Sequence, residues 1–208
     1  MDNNLTLVCY GTILAAASIA WQFGPLRVHH KKFRPLMTPC ALLIIGIPSL
    51  VQLTMAPGLL QSLERNGFSG ELAQPWRLVT SLLVQDGLWP GMLFNLAILA
   101  WMGLLAETLW KPRQWFVIAL GSGVGAQVWG YLVQPVGAGN SVIAFGLAAS
   151  ILVNTWPSRK PVCRIAAVLG LSAAAVLMFS KDIHGGAALL GAFISVLLVR
   201  SQDSKHTH

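Results

Sequence analysis

Apolar residues in this chain come in long blocks separated by short polar or basic stretches, not in alternation with polar ones. Seven blocks stand out, near residues 4–23, 38–56, 90–109, 114–134, 140–156, 163–180 and 183–200. Each offers roughly 17–21 residues, which at about 1.5 Å per helical residue covers some 30 Å of hydrocarbon. The pattern predicts an all-α polytopic membrane protein with seven spans and no soluble module of useful size.

Most connections are short. The exception runs from about Pro57 to Trp89, too polar to span and too apolar to be free linker. Leu59, Leu60 and Leu63 recur at helical spacing, as do Leu78, Leu82 and Leu83 after Pro75. Two short amphipathic helices in the interface are expected, with Trp76 and Trp89 at headgroup depth. Pro48 is expected to kink the second span.

Small residues mark where helices approach closely. Gly121, Gly123 and Gly125 do so in the fourth span; Ala144, Gly146, Ala148 and Ala149 in the fifth; Gly185, Gly186, Ala187, Ala188 and Gly191 in the seventh. The fifth and seventh spans are the expected central pair.

Of the 208 residues, 55% are hydrophobic and only 10% charged, which excludes an ordinary soluble domain. The formal charge of +7 is distributed by side. Arg27, Lys31, Lys32, Arg34, Lys111, Arg113, Arg159, Lys160, Arg164, Arg200 and Lys205 fall on one face, leaving Arg65, Arg77 and Lys181 on the other. This is the positive-inside pattern and argues against nucleic acid: N-terminus outside, C-terminus cytoplasmic. Met1-Asp2-Asn3-Asn4 carries no basic residue, so the first span reads as a retained anchor instead of a signal peptide. A bacterial inner membrane is the expected location. Cys9, Cys40 and Cys163 lack metal-binding spacing; no metal or cofactor is implied.

His184 is the only histidine within an apolar block; His29, His30, His206 and His208 lie in polar flanks. Ionisable side chains inside a membrane face a cavity or a functional partner. Ser141 opens the fifth span as His184 opens the seventh, and Asn95 lies about 8 Å below the start of the third. With the predicted topology all three enter from the outside and can share a water-filled cavity. Serine needs a base within hydrogen-bond reach to act as a nucleophile, and histidine is the usual one. Asp182 falls on another helix face than His184, and Glu107 at the cytoplasmic end, so a two-residue Ser-His device is expected. Each residue has a plainer reading too: serine bonded to its own backbone, asparagine as glue between helices. Spacing alone leaves protease, transporter and helix-binding helper open.

From about residue 38 to 200 the chain resembles the rhomboid family of intramembrane serine proteases. Trp76-Arg77 resembles the family's tryptophan-arginine pair in the long outer loop, and Leu93-Phe94-Asn95 with Gly103 and Glu107 its second core helix. Gly139-Asn140-Ser141 resembles the start of its Gly-x-Ser-Gly signature, and His184 with Gly185, Gly186 and Gly191 the histidine-plus-glycines of its sixth. The resemblance implies a six-helix core over 37–201, preceded by an extra transmembrane helix and basic loop over 1–36 and followed by a polar tail over 202–208. It implies Ser141 as nucleophile, His184 as base and Phe145 as a ring against the histidine. The Ser141 backbone N–H and Asn95, with Asn140 and Gly139 near them, would serve the oxyanion. Substrates would be single-span or C-terminally tagged membrane proteins, with the sixth span (162–180) as a loosely held lateral gate.

The chain departs from the family pattern in three respects. Gly91 stands where the family usually has a histidine, Val142 follows the serine in place of glycine, and the histidines common in the outer loop after the tryptophan-arginine pair are absent, with Ser81 and Gln85 nearby. A catalytically inactive relative that binds client helices is the alternative, although such proteins often lose serine or histidine and this chain keeps both.

Overall fold

The computed structural model describes residues 3–24, 34–66 and 74–203. Arg27, Lys31, Lys32 and Lys205 of the charge pattern, and His29, His30, His206 and His208, lie outside the described residues. The helices are α1 (Asn3–Phe23), α2 (Met37–Thr54), α3 (Leu59–Leu63), α4 (Arg77–Thr80), α5 (Leu88–Glu107), α6 (Pro112–Val133), α7 (Ser141–Thr155), α8 (Pro161–Phe179) and α9 (Ile183–Asp203). Among the described residues there is no strand, and the protein is an all-α polytopic membrane fold. Pro112 and Pro161 open α6 and α8, where a missing N–H costs nothing. Pro48 lies inside α2. α9 runs to Asp203, two residues into the stretch expected as polar tail.

Among the described residues six helices are long and apolar enough to cross a membrane: α1, α2, α5, α6, α8 and α9. The fifth expected span, α7, is apolar but shorter than expected, with only 15 residues, about 22 Å. Its environment explains this. Every α7 residue except Ser141 and Val153 is buried, so it is sheathed by other helices and need not match the lipid thickness.

α7 and α9 form the central pair, as their small residues predict. A Cβ on Gly191 would lie 2.3 Å from the Gly146 carbonyl oxygen, so only glycine permits this approach. α6 packs on the other side of α9, with Leu190 against Gly125 and Ile194 against Gly121. α1 lies along α8 and α7, burying Ile13, Ala16, Ala17 and Ala20.

That packing corrects the expectation of α8 as a loosely held gate. α8 is clasped between α1 and α9, and its stripe of Cys163, Ala166, Ala167, Gly170, Ala173 and Ala174 is buried. The lack of polar side chains there reflects close small-residue packing, not weak attachment.

The two one-turn helices α3 and α4 stand where interfacial helices are expected, both shorter than the leucine spacing suggests. At the opposite end, the Glu107 carboxylate accepts hydrogen bonds from the backbone N–H groups of Leu36, Met37 and Thr38 and from Thr38 Oγ1 at 2.7 Å. It satisfies donors that the first turn of α2 leaves without intrahelical partners.

Candidate active site

The site is built where the chain between α6 and α7 enters the fold. Residues 134–140 are irregular backbone, which membrane depth tolerates only inside protein or against a watered cavity. The outer segment supplies the partners. Arg65 N–H donates to the Gly137 carbonyl at 3.1 Å and Gly137 N–H to the Arg65 carbonyl at 3.0 Å. Gly139 N–H donates to the Ser81 carbonyl at 2.9 Å, and Ala138 N–H to Asp86 Oδ2 at 3.1 Å. Gly139 has a φ of +139°, which glycine adopts without a Cβ penalty. The buried guanidinium of Arg65 binds the Gln134 carbonyl and the Gln127 side chain, and burial lowers its pKa. Arg77 joins α3 to α4, donating to the carbonyls of Gln61 at 3.0 Å and Glu64 at 2.7 Å, while Trp76 stays half exposed beside it. Trp76 and Arg77 therefore belong to the scaffold and do not line the cavity.

This arrangement ends the loop at Ser141, the first residue of α7. Ser141 Oγ lies 2.8 Å from His184 Nε2. The Phe145 ring stands 4.9 Å from the imidazole, edge-on, one turn below the serine. A cavity of about 300 Å³ opens over the pair, lined also by Asn95, Gly91, Gly139, Arg65 and Gln127. A Cβ added at Gly91 meets nothing within 4 Å, so the position of the absent histidine is open space.

Asn95 points into this cavity under control of Gln85. Its Nδ2 donates to Gln85 Oε1 at 2.8 Å, spending one of two amide hydrogens. Gln85 Nε2 in turn donates to Asn140 Oδ1 at 2.9 Å. Asn140 is fully buried and does not line the cavity, so it sits behind the oxyanion position expected of it.

His184 has more partners than the sequence reading allows. Its Nδ1 lies 2.9 Å from Asp182 Oδ1 and 2.8 Å from the hydroxyl of Tyr10, which donates to Asp182 Oδ2 at 2.7 Å. The expectation that no acid reaches His184 is thereby corrected. Asp182 is not on the helix wheel, because α9 begins at Ile183. α8 ends in a Schellman turn: Lys181 takes a φ of +61°, its N–H bonds the Met178 carbonyl, and Asp182 N–H bonds that of Leu177 at 2.9 Å. Asp182 then caps the next helix, its Oδ1 accepting from His184 N–H at 2.8 Å, which folds the carboxylate over the imidazole. Burial alone would raise the Asp182 pKa, but hydrogen bonds from His184 and Tyr10 and the His184 charge hold it below the ordinary carboxylate value.

The sequence reading thus missed three contributors: Tyr10, Asp182 and the orienting role of Gln85. Only Asp182, two residues from the histidine, carried a local signal. Among the described residues no cluster of histidine, cysteine or carboxylate side chains could hold a metal ion.

Serine and imidazole at hydrogen-bond distance, beside an amide donor in an open cavity, is an arrangement suited to acyl transfer. No match was found among curated proteins or among solved structures. The rhomboid domain family model matches residues 72–201, which include α4 to α8, most of α9, Ser141 and His184, but neither α1 nor α2. The match covers well over half the chain, which therefore belongs to the rhomboid family.

Proposed function

We propose that this protein is an intramembrane serine endopeptidase that cuts membrane-anchored proteins in or near a transmembrane helix. The observation that carries the reading is the 2.8 Å contact between Ser141 Oγ and His184 Nε2 at the floor of an open cavity. Ser141 Oγ attacks the scissile carbonyl carbon while its proton passes to His184 Nε2. The oxyanion is received by the Ser141 N–H, unpaired within the helix because it opens α7, and by the remaining amide hydrogen of Asn95. The C–N bond then breaks and His184 returns the proton to the leaving amine. Water, deprotonated by the same imidazole, releases the acyl group from Ser141.

The substrates are single-span or C-terminally tagged membrane proteins, since a helix must begin in lipid and unwind near the cavity to expose a carbonyl. The charge pattern supports an inner-membrane protein with its N-terminus outside, its C-terminus cytoplasmic and the site opening outward. In that frame the extra helix and its basic loop make up 1–36, the core 37–201 and the polar tail 202–208.

The alternative, an inactive relative that binds client helices, draws on Gly91: the cavity lacks the family's usual histidine there. Co-expressing a panel of single-span reporters with wild type and with Ser141→Ala distinguishes the two. The protease reading expects fragments only with wild type. Equal processing by both, or none by wild type across the panel, favours the alternative.

A further inference from the structure

Tyr10 lies on α1, outside the residues matched by the rhomboid domain, yet its hydroxyl reaches the histidine of the site. For a neutral imidazole the protons around it have one consistent arrangement. The Asp182 carboxylate only accepts, so the Tyr10 hydroxyl proton is spent on Oδ2 at 2.7 Å. Tyr10 oxygen can then only accept from His184 Nδ1, 2.8 Å away, and so can Asp182 Oδ1 at 2.9 Å. Both groups facing Nδ1 are acceptors, and an unprotonated Nδ1 would set lone pair against lone pair. Nδ1 must therefore carry the imidazole hydrogen, leaving Nε2 bare toward Ser141.

Ring packing holds the same geometry. The imidazole packs edge-on against two neighbouring rings, Phe145 at 4.9 Å and Tyr10 at 4.7 Å. Tyr10 and Phe145 also touch each other at 5.0 Å. α1 is fixed against α8 and α7 by Ile13, Ala16, Ala17 and Ala20, and to the end of α5 by Trp21 Nε1 donating to Thr108 Oγ1 at 2.8 Å. The tyrosine is thus delivered at a set depth.

We propose that Tyr10 and Asp182 are positioning residues that hold His184 in its Nδ1–H tautomer, so that the N-terminal helix completes the active site instead of merely anchoring the chain. The catalytic part of this inference rests on the protease reading above. No new bond is made or broken by either residue; they set which imidazole nitrogen is free before Ser141 gives up its proton.

The test reads the tautomer directly. Full-length protein carrying ¹⁵N-histidine, in detergent micelles, is compared with Tyr10→Phe and Asp182→Asn, and His184→Gln assigns the signal. Wild type should show protonated Nδ1 and bare Nε2. Tyr10→Phe keeps both ring contacts and loses only the hydroxyl; Asp182→Asn places an amide against Nδ1. Both should move the population toward Nε2–H, Asp182→Asn further. On a small soluble ester, kcat should fall about tenfold for Tyr10→Phe and about 100- to 10000-fold for Asp182→Asn, with KM little changed. An Nε2–H tautomer in wild type, or spectra and kcat unchanged in both variants, overturns the proposal. Tautomer shifts in a protein that hydrolyses nothing would support the positioning geometry and sink the protease reading instead.

Discussion

α1 and α2 both lie outside the matched rhomboid domain, and each supports a different half of the site by different physics. α1 is held by shape: of its buried residues Cys9, Ile13, Leu14, Ala16, Ala17 and Ala20, none brings a charge. Such contacts are short-range dispersion between close backbones, the usual source of helix association in lipid. One polar group, Tyr10, then reaches His184. α2 is held by polar points. Three of its four buried residues are Thr38, Ser49 and Gln52, while Leu43, Ile44, Ile47 and Leu50 face outward. Gln52 makes a two-bond clasp on the backbone of Gln85, at 3.0 and 2.8 Å, and Ser49 Oγ donates to the Leu83 carbonyl at 3.0 Å. α2 therefore governs Gln85, and through it Asn95 and Asn140, whereas α1 governs the histidine. His184 and Asn95 are supported from separate helices, so damage to one half of the site should leave the other intact.

After Asp182→Asn on the histidine half, the oxyanion half should give the largest effects. Asn95→Ala and Gln85→Ala should each lower kcat about 100-fold with phosphonate labelling of Ser141 slowed but retained. Because Gln85 acts through Asn95, the double variant should be little worse than either single one. Fully additive losses would break the link between them.

Gln52→Ala leaves the buried N–H and C=O of Gln85 without partners, a cost of roughly 1–3 kcal/mol. Melting temperature should fall and kcat drop about tenfold, while the His184 tautomer stays as in wild type. A changed tautomer would show that the two halves are not separate.

On the α1 side, Leu177→Ala empties a fully buried position on α8. It should cost about 2 kcal/mol of stability and leave cleavage of membrane substrates unchanged or slower. Faster cleavage would restore α8 as the gate. The smallest effect is a gain: Gly91→His fills open space beside Asn95 and should raise kcat a few-fold. A loss of activity would show that the cavity needs that space for substrate.

Much of this was legible in the sequence. Block lengths gave the helical membrane class, and Gly146 and Gly191 announced the close pair of α7 and α9, because a glycine in a membrane helix has few other uses. Ser141, His184 and Asn95 stand around one cavity, as their placement near helix starts implied, and Phe145 joins them, as only the resemblance implied. What escaped was set by turns and by distance along the chain. Asp182 was read as a helix-wheel position, when the Schellman turn at Lys181 makes it a cap. Tyr10 meets His184 across 174 positions with no local pattern to signal it. The sixth span was expected to be loosely held, and only the packed structure shows α1 closed upon the small residues of α8.

Ser141 as the nucleophile activated by His184 is the central claim, and covalent labelling tests it most directly. Wild type, Ser141→Ala and His184→Ala are treated in the membrane with a serine-directed phosphonate, and the adduct is mapped by mass spectrometry. The account predicts a single adduct on Ser141 in wild type and none in either variant. An adduct on another serine, or equal labelling of His184→Ala at Ser141, would contradict it.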